Sequence, residues 1–432
     1  MKKIKKYLKL LKNNKIILVI SAIFLLNLFT RTYQLDIKNP FGYDQVDNAW
    51  AAMNIIVNHK FPLVGMVAKA NSGVYVGPLY YYIVSFFYFI FNLNPIASQA
   101  IAVFSGIFTF WMIFIIFKKL LSLEAAIIAL LLNSFSFNAI MFDRVVQWPV
   151  QLLPTVSLLI FHLLYKITLG DVKKIIPLSI AVGFSFSLHF TSIFFSLIIL
   201  FSLPLFPRTR ETLKYGFIAI SILIASITPN IIYLIASKNY ISNTAYFSDA
   251  YHGFHLRRMS QLIGDALIQF DPYILLERLK PLKIILVPLF FLIYLKKNTS
   301  LEAKKICYLI ALWFLVPWVI FSLYSGEISD YYFAVNRFIA LLIIVYFINL
   351  VFTTKFLLGK IVIIIFILGY SINGLNTIIS YKDVGLYDRE KTVKKAIREG
   401  REIGFQAGVP ESYVYYYLMR KKGIEVYGTN KK

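Results

Sequence analysis

The chain alternates long apolar runs with short basic clusters, and that alternation limits its fold more than any motif does. A helix needs about 20 mainly apolar residues to cross the roughly 30 Å hydrocarbon core of a bilayer. Runs near or above that length recur from Ile16–Phe29 onward. Between them stand Lys118/Lys119, Lys173/Lys174, Arg208/Arg210/Lys214, Lys296/Lys297/Lys304/Lys305 and Lys355/Lys360. With 59% hydrophobic and 15% charged residues, the chain is too apolar for a soluble domain, where apolar residues are about half. The net charge of +24 would suggest nucleic acid in a soluble protein. Here most of the cations sit at span ends, the pattern of the positive-inside rule, so no nucleic-acid partner is expected. The fold class is all-α polytopic membrane protein.

The first fifteen residues hold seven lysines and no acid. No small-residue cleavage site follows the first apolar run, so an uncleaved span with a cytoplasmic N-terminus is expected. The segment 79–91 is too short to cross. Treated as an interfacial helix on the outer face, it keeps every later basic cluster inside. Further spans are then expected at about 96–117, 123–141, 150–165, 175–189, 190–206, 215–236, 281–295, 306–324, 331–353 and 356–374. That makes about eleven spans in a transmembrane unit 1–374. Its outer loops are 31–95 and 237–280, and a short outer tail covers 375–432. Cys307 lies in an apolar run, so neither a disulfide framework nor a thiolate metal site is available.

Acidic and polar residues gather on the outer side. After Asn39-Pro40-Phe41-Gly42 a helical pattern begins near Tyr43, with Asp44 and Asp47 three apart on one face. Such carboxylates can cap a helix, solvate a face or do chemistry. The turn Phe142-Asp143-Arg144-Val145-Val146-Gln147-Trp148-Pro149 carries a second outer acid, whose plainer reading is a local Asp143–Arg144 surface pair. His189 stands where two outward span ends meet; it is either a structural histidine or a phosphate donor. His252, His255, Arg257 and Arg258 form the best outer cationic cluster, with Lys60 and Lys69 as further cations; contact with lipid headgroups is the alternative. Nucleotide-binding and metalloprotease motifs, cysteine pairs and nucleophile elbows are all missing. No nucleotide cofactor is expected, and an activated substrate would have to arrive as a lipid.

The order of these features resembles the GT-C membrane glycosyltransferases of the dolichyl-phosphate-mannose protein mannosyltransferase and aminoarabinose transferase type (glycosyltransferase family 39-like). The resemblance spans roughly residues 15–350. Phe41-Gly42-Tyr43-Asp44-Gln45 and Gly77-Pro78-Leu79-Tyr80-Tyr81-Tyr82 are similar to a bacterial branch of that group. The turn from Asp143-Arg144 to Trp148-Pro149 resembles that branch's Arg…Trp-Asn-Pro turn. Many members have Asp-Glu where this chain has Asp44-Gln45, so the second acid of that pair is missing.

The resemblance implies a polyprenyl- or dolichyl-phosphate sugar donor and a protein, lipid or glycan acceptor at the outer surface. Transfer needs a base for the acceptor proton and cations at the departing phosphate. Asp44 and Asp143 are the expected catalytic pair, and they would also hold a divalent cation if one is used. Asp47, Lys60, Lys69, Arg144, His189, Arg257 and Arg258 are the expected substrate and phosphate contacts. The rival class is a polytopic transporter or lipid flippase, which would place ionisable groups at mid-membrane and often shows internal repeats.

Overall fold

The computed structural model describes residues 2–38, 40–68, 72–145, 149–237, 253, 255–274, 277–406 and 408–426. Regular structure there is helical, with only two isolated β-bridges, Pro40–Gly385 and Val67–Tyr75. The first elements are α1 (Lys2–Thr32), α2 (Leu35–Lys38), α3 (Tyr43–Ile56), α4 (Leu79–Ile90), α5 (Ala97–Leu120), α6 (Leu123–Phe135) and α7 (Phe137–Val145). Then come α8 (Leu153–Thr168), α9 (Ile175–Ser185), α10 (Ile193–Ser202) and α11 (Arg210–Ser237). Later helices include Lys283–Lys297, Leu301–Ser322, Arg337–Thr353, Leu357–Ser380, Leu386–Arg398 and Pro410–Lys421.

Among the described residues seven helices are long and apolar enough to cross a bilayer, or eight if α6 and α7, bent by 65° at Ser136, count as one span. The sequence suggested eleven. The other three positions hold α9, α10 and Lys283–Lys297, of 11, 10 and 15 residues, each shorter as a helix than a full crossing requires. The chain is an integral membrane protein. Its outward apolar surface is what a bilayer would cover: the α11 window is wholly unburied, whereas Val150–Thr168 is 83% buried inside the bundle.

The segment expected as an interfacial helix is α4, twelve residues long, or about 18 Å at 1.5 Å per residue. Tyr80, Tyr81, Val84 and Tyr88 are buried, while Phe86, Phe89 and Ile90 are exposed. The buried face packs on α3 and α5. The helix Pro410–Lys421 braces α3 from its other side, and Leu386–Arg398 packs against α2 and Pro410–Lys421. Trp50 of α3 meets Phe405 at 4.9 Å, Tyr413 at 5.0 Å and Tyr416 at 5.4 Å between ring centres. Tyr413 also donates to the Leu93 carbonyl at 3.0 Å. Lys38 donates from Nζ to the carbonyls of Ile378 and Ile379, supplying a cation at a helix C-terminus, where it is favoured.

Candidate active site

The start of α3 is built to present Asp44. Gln45 turns back so that its Oε1 accepts from the Gly42 amide at 2.8 Å, one half of a capping arrangement that satisfies an otherwise orphaned donor. Gln45 is therefore committed to the backbone. Asp47, one turn on, accepts from Tyr81 Oη at 2.5 Å. Burial raises the Asp47 carboxyl above its ordinary value, and the Tyr81 hydrogen bond opposes that rise.

The three tyrosines of the Gly-Pro-Leu-Tyr-Tyr-Tyr segment each have a distinct partner. Tyr80 Oη accepts from Gln151 Nε2 at 3.1 Å, Tyr81 holds Asp47, and Tyr82 donates to the Pro62 carbonyl at 2.8 Å. Gly77 is needed for close approach. Its amide donates to Phe186 O at 3.0 Å, and a methyl there would sit 2.3 Å from Ser187 Oγ. This seats the paired hairpin arms 65–68 and 74–76 against the end of α9, beside His189. Asn230 of α11 secures the hairpin by donating to the carbonyls of Tyr75 and Val76 at 3.1 and 3.2 Å.

Hairpin, α3 and the α9–α10 junction enclose a cavity of about 410 Å³ lined by Asp44, His189, Glu327, Tyr331 and Tyr332 among others. The structure thus brings Asp44 and His189 into one chamber. His189 Nδ1 lies 2.9 Å from Thr191 Oγ1 and accepts from the Thr191 amide at 3.4 Å. That pattern leaves Nε2–H as the ring's donor. Its ring is held among Phe190, Tyr331 and Tyr332 at 4.4, 5.6 and 5.3 Å.

Asp143 is placed differently. Its Oδ2 accepts from Arg31 Nη2 at 2.7 Å and Nε at 3.0 Å. Both side chains are almost wholly buried, at 7% and 1% exposure. Gly106 makes the room, since a methyl there would meet Arg31 Cδ at 2.2 Å. The local surface pair suggested by the sequence is corrected: the partner is Arg31, and Arg144 turns instead to the carbonyls of Thr30 and Tyr33 at 3.2 and 3.1 Å. Arg144 is 1% exposed and acts as a buried cap on the end of α1. Asp143 does not line the Asp44 cavity. Among the described residues no group of three or more His, Cys, Asp or Glu side chains converges to hold a metal. The donor set Asp44 plus Asp143 therefore does not fit a shared cation.

The cations separate. Lys60 follows α3 at the end opposite Asp44; α3 has 14 residues, or about 21 Å. Lys69 and His252 lie outside the described residues. Arg257 and His255 are exposed. Arg258 is half-buried and donates from Nη2 to Gly326 O at 3.0 Å, one residue before Glu327. Its Nε is buried with no hydrogen-bond partner among the described residues. Glu327 was missed from sequence. The only signal was an acid in the short turn 325–330, which also carries Asp330.

No protein-family model matches the sequence, and no curated protein sequence matches it. Solved structures do. ArnT from Cupriavidus metallidurans bound to undecaprenyl phosphate superposes with a TM-score of 0.54 at 10% identity, over 94% of this chain and 75% of that one. The apo form of the same protein gives 0.51 at 12% identity over the same shares. At that identity the likeness is one of fold: this chain shares the fold of the ArnT structures.

Proposed function

We propose that this protein is a glycosyltransferase that moves a sugar from a polyprenyl- or dolichyl-phosphate-linked donor to an acceptor at the outer face of the membrane. The observation that carries the reading is the shared cavity of Asp44 and His189 at one end of a GT-C bundle. The similar ArnT structure holds undecaprenyl phosphate, which supports a lipid-phosphate donor here. The N-terminus is assigned to the cytoplasm, and the cavity and C-terminal helices to the opposite side, because that places the basic clusters inside.

In the reaction the Asp44 carboxylate takes the proton of the acceptor hydroxyl. The acceptor oxygen forms a bond to the sugar's anomeric carbon while the bond from that carbon to the phosphate oxygen breaks. Its electron pair leaves with the lipid phosphate, where negative charge grows and donors count most. Arg258 is assigned to that phosphate through its unpartnered Nε and its tie to the 326–329 turn. His189, with Nε2–H as donor, is assigned to the donor's sugar or phosphate oxygens. Asp47 supports α3 through Tyr81.

The test is Asp44→Asn assayed with a panel of labelled lipid-phosphate sugars. Loss of a general base costs about 10² to 10⁴-fold in rate. A variant that keeps more than about a tenth of wild-type turnover would remove Asp44 from the base role.

A further inference from the structure

A second cavity of about 540 Å³ adjoins the first, and Tyr331 lines both. At its floor lies Arg337, 5% exposed. The Arg337 guanidinium lies 3.8 Å above the Phe142 ring, and its Nε donates to Gln269 Oε1 at 3.4 Å. Among the described residues its two terminal amino groups make no hydrogen bond. Gln269 is itself fixed, donating from Nε2 to the Asp330 carbonyl at 3.2 Å. The Asp330 side chain is exposed at the rim and has no ion pair or hydrogen bond among the described residues. Asp271 also lines the cavity but is already neutralised by Lys283, whose Nζ lies 2.9 and 3.1 Å from its two oxygens. Tyr331 and Tyr381 supply aromatic faces.

A guanidinium that lines the cavity, with terminal amino groups that make no hydrogen bond among the described residues, offers its donors to acceptor oxygens there. A carboxylate at the rim calls for hydrogen-bond donors. Each hydroxyl of a polyol offers both functions at once, and the C–H faces of a sugar ring suit tyrosine faces. Lys280 also lines the cavity but already has an interaction of its own; a polyphosphate would set like charge against Asp330, and an apolar chain would leave Arg337 unmatched. We propose that this cavity is the acceptor subsite and that it takes a saccharide, whose reacting hydroxyl reaches Asp44 past Tyr331. The inference rests on the transferase reading and adds to it the acceptor's chemical class.

The experiment uses the full chain in lipid nanodiscs and saturation-transfer NMR with neutral hexose and N-acetylhexosamine di- and trisaccharides. Inorganic pyrophosphate serves as competitor. Wild type should bind at least one saccharide, and pyrophosphate should not displace it. Asp330→Ala should raise the dissociation constant about tenfold or more, as expected for losing a hydrogen bond to a charged group. Asp330→Asn, which keeps an acceptor oxygen, should recover part of that loss. Asp330 is exposed, so its removal does not threaten the fold. No saccharide binding to wild type, unchanged affinity in Asp330→Ala, or displacement by pyrophosphate would overturn the proposal. Turnover of the lipid-phosphate sugar panel is scored in parallel. Donor turnover without saccharide binding sinks the subsite alone, whereas saccharide binding without turnover of any donor sinks the transferase reading and the acceptor role with it.

Discussion

Replacing Asp143 by Asn separates a structural acid from a catalytic one. In the native fold Arg31 gives two hydrogen bonds to a single Asp143 oxygen, and its other hydrogen bond among the described residues goes to Asn27 Oδ1 at 2.6 Å. At 1% exposure the guanidinium has no access to water as a substitute partner. Removing the countercharge from such a pair costs about 3 to 5 kcal/mol, because the remaining charge stays buried and uncompensated. Asn keeps an acceptor oxygen, so the lower end of that range applies. With unfolding entropy scaling with chain length, each kcal/mol moves the melting point of a chain this long by about 1 °C, giving a drop of about 3 °C. Thermal unfolding in detergent, followed by intrinsic fluorescence, reads this directly. The double variant Arg31→Met with Asp143→Leu removes both charges and should recover most of the loss, a non-additivity expected of contacting residues. Turnover per correctly folded molecule should stay near wild type in Asp143→Asn. An Asp143→Asn protein with an unchanged melting point and turnover reduced a hundredfold would refute the argument and return Asp143 to the chemistry.

Gly77→Ala should cost about 1 to 3 kcal/mol by forcing the hairpin off α9, and Ser187→Gly in the same chain should restore both melting point and turnover; a single variant as stable as wild type would exclude that contact. Arg258→Ala alone should weaken donor binding about 10- to 100-fold, the scale of a hydrogen bond to a charged group, whereas Arg257→Ala, at an exposed position, should change it little and only at low salt. Titration calorimetry with a lipid-phosphate sugar decides between the two arginines, and equal losses in both would assign the loop to general headgroup contact. Asp47 has a carboxyl pKa raised from 3.8 in the fold, so its stabilising contribution is complete below that value and is lost as pH rises through the raised one. Asp47→Asn should therefore gain in melting point relative to wild type as pH rises from about 4; a difference independent of pH would rule out the buried neutral acid.

The parts of this molecule that were legible in sequence are those fixed by local patterns. Apolar runs bounded by lysines gave the membrane class, and the break at Asn39–Gly42 gave the start of α3 with Asp44 on its first turn. The short Tyr80–Phe91 run gave α4 as a helix that stops short of a crossing. Span number was less legible, because composition does not reveal where an apolar stretch is cut. The stretch read as two spans at 175–189 and 190–206 opens with α9, a turn at Phe186–Leu188 and a new start at His189. That break is what gives His189 its place, since a continuous helix would have carried the ring along the bundle wall.

Pairings across long sequence separations were not legible at all. Arg31 and Asp143 are 112 residues apart, and nothing in either local pattern names the other. The neighbouring Arg144 invites the wrong pairing because consecutive residues look like partners, yet on a helix they point to different faces. Asp44 and Asp143, alike in sequence as outer acids after apolar runs, end in different surroundings, one lining the cavity and one paired with Arg31. Asp143 lies within α7, the bent continuation of α6, and is buried, where a charge survives only with a countercharge. Asp44 opens a helix whose other face is clamped by Trp50 against Tyr413 and Tyr416, which leaves its first turn at the cavity. If Asp44 is the base, the clamp is what holds it there. The tail helices then belong to the catalytic apparatus by position, although no residue of theirs lines the Asp44 cavity.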